Sequence, residues 1–170
     1  MKNQRLIQAN EQMLQRQLQR GFTPEWYIVY HFNDGFNSRH QQKRRVNPDE
    51  VSRDVAFHKH VMYQFAYCNR RWAKIPNRAR SVWSIEYGRS SVHPHINILI
   101  ESLPMPLQDL SELNHFFNTT LPLRAKSVLP NSANIQPVIN GSESKVLAYV
   151  CKETNENNGS IDYYSTDWIL

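Results

Sequence analysis

Cysteine is scarce in this 170-residue chain: Cys68 and Cys151 are the only two. They are too few for a disulfide framework and too far apart for a zinc-finger spacing. A reducing cytoplasm suits such a pair, and both are expected as half-buried thiols. No run of ~18 apolar residues occurs. The N-terminus does not join a charged start to an apolar stretch and a small-residue cleavage site. The expectation is a protein that is neither exported nor membrane-spanning. A glycine-rich loop of the Walker type is missing, which excludes an appended ATP-driven helicase from this chain, and no internal repeat is found.

What is present fits one domain with a real core. The net charge is +5, and between residues 34 and 80 eleven Lys and Arg stand against four acids. A polyanion is a plausible partner for such a block, and a solvated basic helix gives the same count. Residues 1–21 read as a Gln- and Arg-rich amphipathic helix with Leu6, Ile7, Met13, Leu14 and Leu18 near one stripe and Gly21 as its stop. It is a docking or pairing helix, set apart from a single domain over 22–170. "WYIVYHF" (26–32) is the first strand, followed by turn chemistry. Residues 47–74 read as one long helix with Asn47 as cap, Pro48 at the first helical position, and Val51, Val55, Met62, Phe65 and Trp72 inward. Two strands follow, "SVWSIEYG" and "VHPHINILIES". Then come a helix with Leu107, Leu110, Leu113 and Phe117 inward, a short strand "NIQPVIN" whose Pro137 suits an edge, and a last helix capped by Ser142. The order α-β-α-β-β-α-β-α predicts an α+β fold, a sheet with helices mainly on one face.

The pair "SVWSIEYG" and "VHPHINILIES" carries the first chemical signal. Side chains alternate across a strand, so His93, His95, Asn97 and Leu99 share one face, and Val92, Ile96, Ile98 and Ile100 pack under helices on the other. A four-residue turn over 88–91 would set Glu86 opposite His93 and Ser84 opposite His95. One carboxylate and two imidazoles then converge. Glu86, His93 and His95 make a three-ligand site for a divalent cation, Mn²⁺ or Mg²⁺, with positions left for water and a substrate oxygen. His31 is the substitute should Glu86 not serve.

The last helix carries the second. At 100° per residue, Lys145, Tyr149, Lys152 and Glu156 gather on one side, and Val146, Leu147, Val150 and Cys151 on the other. Tyr149 thus points away from the apolar stripe, either as a tyrosine at a helix rim or as a nucleophile. A phenol with its ordinary pKa near 10 is a poor nucleophile at neutral pH. A catalytic role therefore needs a cation beside it, for which Lys152 and Lys145 are placed.

"HPHINILIE" followed by "YVCK" resembles the HUH endonucleases, in particular the single-tyrosine replication initiators (Rep proteins) of rolling-circle plasmids and viruses. Their pattern is a His-hydrophobic-His strand followed downstream by Tyr-x-x-Lys on a helix. Pro94 stands at the middle position here, and "WYIVYHFND" falls where their first strand motif is expected. The likeness covers roughly residues 24–155. It implies an antiparallel sheet of about five strands with flanking helices, similar to an RNA-recognition-like platform. It also implies metal-dependent nicking and rejoining of single-stranded DNA, at an origin or a hairpin, through a 5′-phosphotyrosine on Tyr149, with Lys152 assisting and Glu86, His93 and His95 holding the metal.

Single-stranded DNA also suits Arg39, Lys43, Arg44, Arg45 and Lys145 as phosphate contacts, and Tyr27, Tyr30, Trp83 and Tyr87 as stacking surfaces. A homodimer through the N-terminal helix and a separate host or viral helicase are further expected partners. Two other readings stay open. One is a single-tyrosine HUH transposase acting on hairpin ends. The other is a non-catalytic DNA-binding regulator in which His93 and His95 are ordinary strand residues.

Overall fold

Period-two alternation in the strand sequences fixes the two faces of the sheet. The computed structural model describes the backbone of residues 2–33, 47–87, 94–156, 160–162 and 165–167, and the side chains of these stretches except 2–7, 151–156 and 160. Four strands of four to six residues form the body of one antiparallel sheet: β1 (Trp26–His31), β2 (Ser81–Glu86), β3 (His95–Ile100) and β4 (Asn134–Pro137). A two-residue strand, β5 (Ser160–Ile161), completes it on the outside of β2. The order is β4-β1-β3-β2-β5, which makes β3 central and puts the Pro137-bearing strand at an edge, where its missing N–H costs nothing.

One face of this sheet is aliphatic and aromatic. Ile28 and Tyr30 of β1, Ile96, Ile98 and Ile100 of β3 and Trp83 of β2 are fully buried there against α2 (Pro48–Ala66) and the helical region 110–124. The isoleucine face therefore packs as its alternation predicts. Tyr30 and Trp83 go into this core and not onto a stacking surface, and Tyr87 is half-buried against it, with burial pushing its phenol up to about 12. Of the four aromatics expected to stack on bases, Tyr27 alone lies on the opposite face.

That opposite face is also covered, which corrects the expectation of helices mainly on one side. α5 (Glu143–Glu156) lies across it and α1 (Lys2–Gln19) packs on α5. Leu14 of α1, Leu147 and Val150 of α5, and Val82 and Leu99 of the sheet form a second small core. The apolar stripe of the N-terminal helix is thus used within the chain, at least around Leu14.

Two helix expectations need correction. α2 stops at Ala66, not near residue 74, because Cys68 takes a left-handed φ of 49° that an α-helix cannot continue through. Trp72 reaches the core from a separate 3₁₀ turn, Trp72–Lys74, and Cys68 is exposed instead of half-buried. The third helix is divided into α3 (Leu110–His115), a π turn at Phe116–Thr120 and α4 (Leu121–Arg124). The π turn inserts an extra residue, so Phe116 joins Phe117 inside; Leu110, the first residue of α3, is 41 % exposed. Ser142 stands at the cap position before α5 as expected, its carbonyl accepting from the Lys145 and Val146 N–H groups, while its hydroxyl donates to the Ile139 carbonyl.

The chain beyond α5 is held by charge. Asp167 accepts from Lys59 Nζ at 2.7 Å and Arg78 Nη2 at 2.8 Å, and its second oxygen accepts from the Ser81 backbone N–H at 3.0 Å. Among the described residues no helix is long and apolar enough to cross a membrane.

Candidate functional site

The site is built from cross-strand registers. Glu86 of β2 lies directly opposite His95 of β3, and His95 lies opposite His31 of β1. The three form one row across the sheet on the face that α5 covers. The expected register, Glu86 with His93 and Ser84 with His95, is replaced by Glu86 with His95 and Ser84 with Asn97. The connection runs over residues 87–94, longer than the four-residue turn assumed, and so shifts the pairing by two. An even shift leaves every side chain on its expected face, so the carboxylate still meets an imidazole. His93 lies outside the described residues.

His31 and His95 stack flat, with ring centroids 4.4 Å apart and planes 3° from parallel. Glu86 is buried at 7 % exposure. The next row along the sheet is Ser84, Asn97 and Val29. Tyr27 donates its phenolic hydrogen to Asn97 Oδ1 at 2.8 Å. The Asn97 Nδ2 and Ser84 Oγ atoms are buried with no hydrogen-bond partner among the described residues. Two such buried polar atoms beside a carboxylate and an imidazole make this a polar stretch of the sheet.

α5 brings in the remaining groups. Leu147 and Val150 anchor it to the sheet, which turns Tyr149 and Lys145 outward as the helical wheel predicts. The Tyr149 ring meets the Tyr27 ring edge-on, centroids 6.3 Å apart at 83°, and Tyr149 is still 51 % exposed. Between this helix and the sheet lies a cleft of about 530 Å³. His31, His95, Lys145 and Tyr149 all line it, together with Tyr27 and Val29 of β1, Val146 of α5 and polar residues at β4.

Of the residues singled out from the sequence, His95, Lys145 and Tyr149 are therefore brought to one space, with Glu86 paired to His95 but outside the cleft wall. Lys152 sits on α5 one turn beyond Tyr149, with its side chain outside the described residues, as are Arg39, Lys43, Arg44 and Arg45 and the paired tyrosines Tyr163 and Tyr164. Sequence reasoning gave His31 only a substitute's place and missed Asn134 and Gln136, although the alternation of Asn134, Ile135 and Gln136 is enough to put both amides on one face.

Two imidazoles and a carboxylate are suitable donors for a divalent cation. Among the described residues, however, no three His, Cys, Asp or Glu side chains gather closely enough to hold one. The pairing of Glu86 with His95 fits such a site in donor type, and the flat stacking of His31 on His95 would have to open for both rings to contribute. Comparison with protein-family models, curated proteins and solved structures yields no match.

Proposed function

We propose that the chain is a single-stranded DNA endonuclease and strand transferase of the HUH kind, with Tyr149 as nucleophile. The observation that carries this reading is the shared cleft. An exposed phenol, a lysine and two strand histidines drawn from α5, β1 and β3 face one space large enough for a nucleotide. The order His-x-His strand, then Tyr-x-x-Lys helix, supports it from the sequence.

In this reading Tyr149 Oη forms a bond to the scissile phosphorus and the bond from phosphorus to the 3′ oxygen breaks. The phenol loses its proton and the departing 3′ oxygen takes one up, so protons balance. The product is a 5′-phosphotyrosine and a free 3′-OH, and attack by another 3′-OH reverses the step. Lys145, and Lys152 one turn on, hold positive charge near the phenolate and phosphate. Glu86, His95 and either His31 or His93 would hold a divalent cation, Mn²⁺ or Mg²⁺, which would supply Lewis-acid polarisation of the phosphate. Initiation of rolling-circle replication on plasmid or viral DNA in the cytoplasm is the biological setting of this chemistry.

The test is incubation with random single-stranded DNA and Mn²⁺, followed by mass spectrometry of tryptic peptides. A nucleotide adduct on the Tyr149 peptide is expected. Tyr149→Phe keeps the ring against Tyr27 and should retain fold and DNA affinity while the adduct disappears. An adduct that persists in Tyr149→Phe, or maps to Tyr163 or Tyr164, overturns the assignment. DNA binding with no adduct at all leaves a regulator in its place.

A further inference from the structure

The outer wall of the cleft is the edge strand β4, and it presents two side-chain amides. Asn134 pairs with Val29 and Gln136 with Tyr27, so both stand on the face that carries His31 and His95, while Ile135 between them turns into the core. Both line the cleft, and both are exposed. Neither carboxamide is hydrogen-bonded to another described side chain or backbone group. Ser132, also at this wall, differs: its hydroxyl accepts from the His31 backbone N–H at 3.0 Å and donates to the Leu129 carbonyl at 2.6 Å, so it is occupied in holding β1.

The chemistry of the remaining walls is complementary to that of the amides. Val29 on the sheet and Val146 on α5 give apolar surfaces suited to the faces of a flat ring, and Tyr27 adds an aromatic one. Lys145 supplies a cation for a flanking phosphate. A carboxamide offers one donor and one acceptor side by side, which matches the N6 amino group and N7 of adenine, a pair that no other base presents on that edge. The volume of about 530 Å³ suits one unpaired nucleotide and not a duplex.

We propose that Asn134 and Gln136 read the edge of a single unpaired adenine seated in this cleft beside Tyr149, and so set the base next to the attacked phosphate. The placement beside an attacked phosphate rests on the nuclease reading above, whereas the base-reading itself does not. Both side chains are exposed on an edge strand, so Asn134→Ala and Gln136→Ala should fold as the parent does, which equal thermal midpoints verify.

Two measurements separate this inference from the nuclease reading. The first is selection of a randomised single-stranded DNA pool by the metal-free protein, with sequencing of the bound fraction. The second is mapping of the Mn²⁺-dependent adduct junctions. The wild-type protein should enrich adenine at one position, and that position should lie within a nucleotide of the junction. Asn134→Ala or Gln136→Ala should lower that enrichment roughly 5- to 150-fold, while affinity for the unselected pool changes by no more than about twofold. Adduct formation with adenine preference unchanged in both variants overturns the base-reading alone. Adenine preference lost in the variants, with no adduct in any protein, upholds base-reading and removes the nuclease. A wild-type protein that shows no base preference overturns the inference.

Discussion

At the scale of single residues, the row Glu86–His95–His31 separates contributions by experiment. On the proposed nuclease reading, His95→Ala should abolish both Mn²⁺ binding in calorimetry and DNA cleavage, because His95 lies between the other two in register. Glu86→Ala should weaken Mn²⁺ binding without eliminating it, since water can replace one oxygen ligand. Full cleavage by His95→Ala would remove the site as drawn. His58 gives a second residue-scale expectation. It is fully buried between Tyr30 Oη at 2.7 Å and Ser127 Oγ at 2.8 Å, and burial lowers its pKa to about 3. The unfolded chain binds that proton near pH 6.5, so the stability this neutral imidazole contributes is complete above that pH. It is lost as pH falls toward about 3, at up to about 1.4 kcal/mol per pH unit. Urea unfolding across that window should show the decline, and a flat profile there would contradict a neutral buried His58. Single residues also show where the sequence was silent. Nothing in the local pattern says that His31 stacks on His95, because that contact needs β1 to choose β3, some seventy residues away, as its neighbour.

At the scale of elements, α5 decides whether Tyr149 faces the cleft, and α1 decides whether α5 stays in place. Leu147 and Leu14 are both fully buried in the core the two helices share with Val82 and Leu99. Leu147→Ala should cost about 2–5 kcal/mol, read as a lower urea midpoint. Deleting residues 1–21 should expose Leu147 and Val150 and make the remainder less stable and prone to associate, visible by light scattering. A deletion protein as stable and monodisperse as the parent would show α1 to be an appendage. The stripe on α1 and the two sides of α5 were legible in sequence because helical periodicity is local. The end of α2 and the division of the third helix were not. A left-handed Cys68 and a π turn at Phe116–Thr120 are choices made by packing around them and leave no mark in residue spacing.

At the scale of the whole molecule, the segment after α5 closes the far edge of the sheet. β5 pairs with β2, Asp162 N–H donates to the Trp83 carbonyl at 2.8 Å, and Asp167 gathers Lys59, Arg78, Tyr63 and Ser81. Burial lowers the Lys59 pKa, and the Asp167 carboxylate opposes that shift. Asp167→Ala would leave a buried ammonium and a partly buried guanidinium unpaired, and should cost about 3–5 kcal/mol in urea unfolding. A change below ~1 kcal/mol would mean that the pair is solvated in the folded protein.

The sequence by itself determined the α+β class, the faces of β3, the edge position of the Pro137 strand, and the outward side of α5 that carries Lys145 and Tyr149. Each of these follows from a period of two or 3.6 residues, or from a missing N–H, and is written within a few neighbouring positions. Only the tertiary structure decided that β3 lies between β1 and β2, that Glu86 faces His95 and not His93, and that two helices cover the histidine face. Strand neighbours are chosen by burial summed over the whole sheet, and register depends on the length of a connection that the strands themselves do not encode. The cleft exists because α5 lies across the sheet while edge strand β4 extends beside it, a spacing set by the shared packing of Leu14, Leu147, Val82 and Leu99 and by no single segment of the chain.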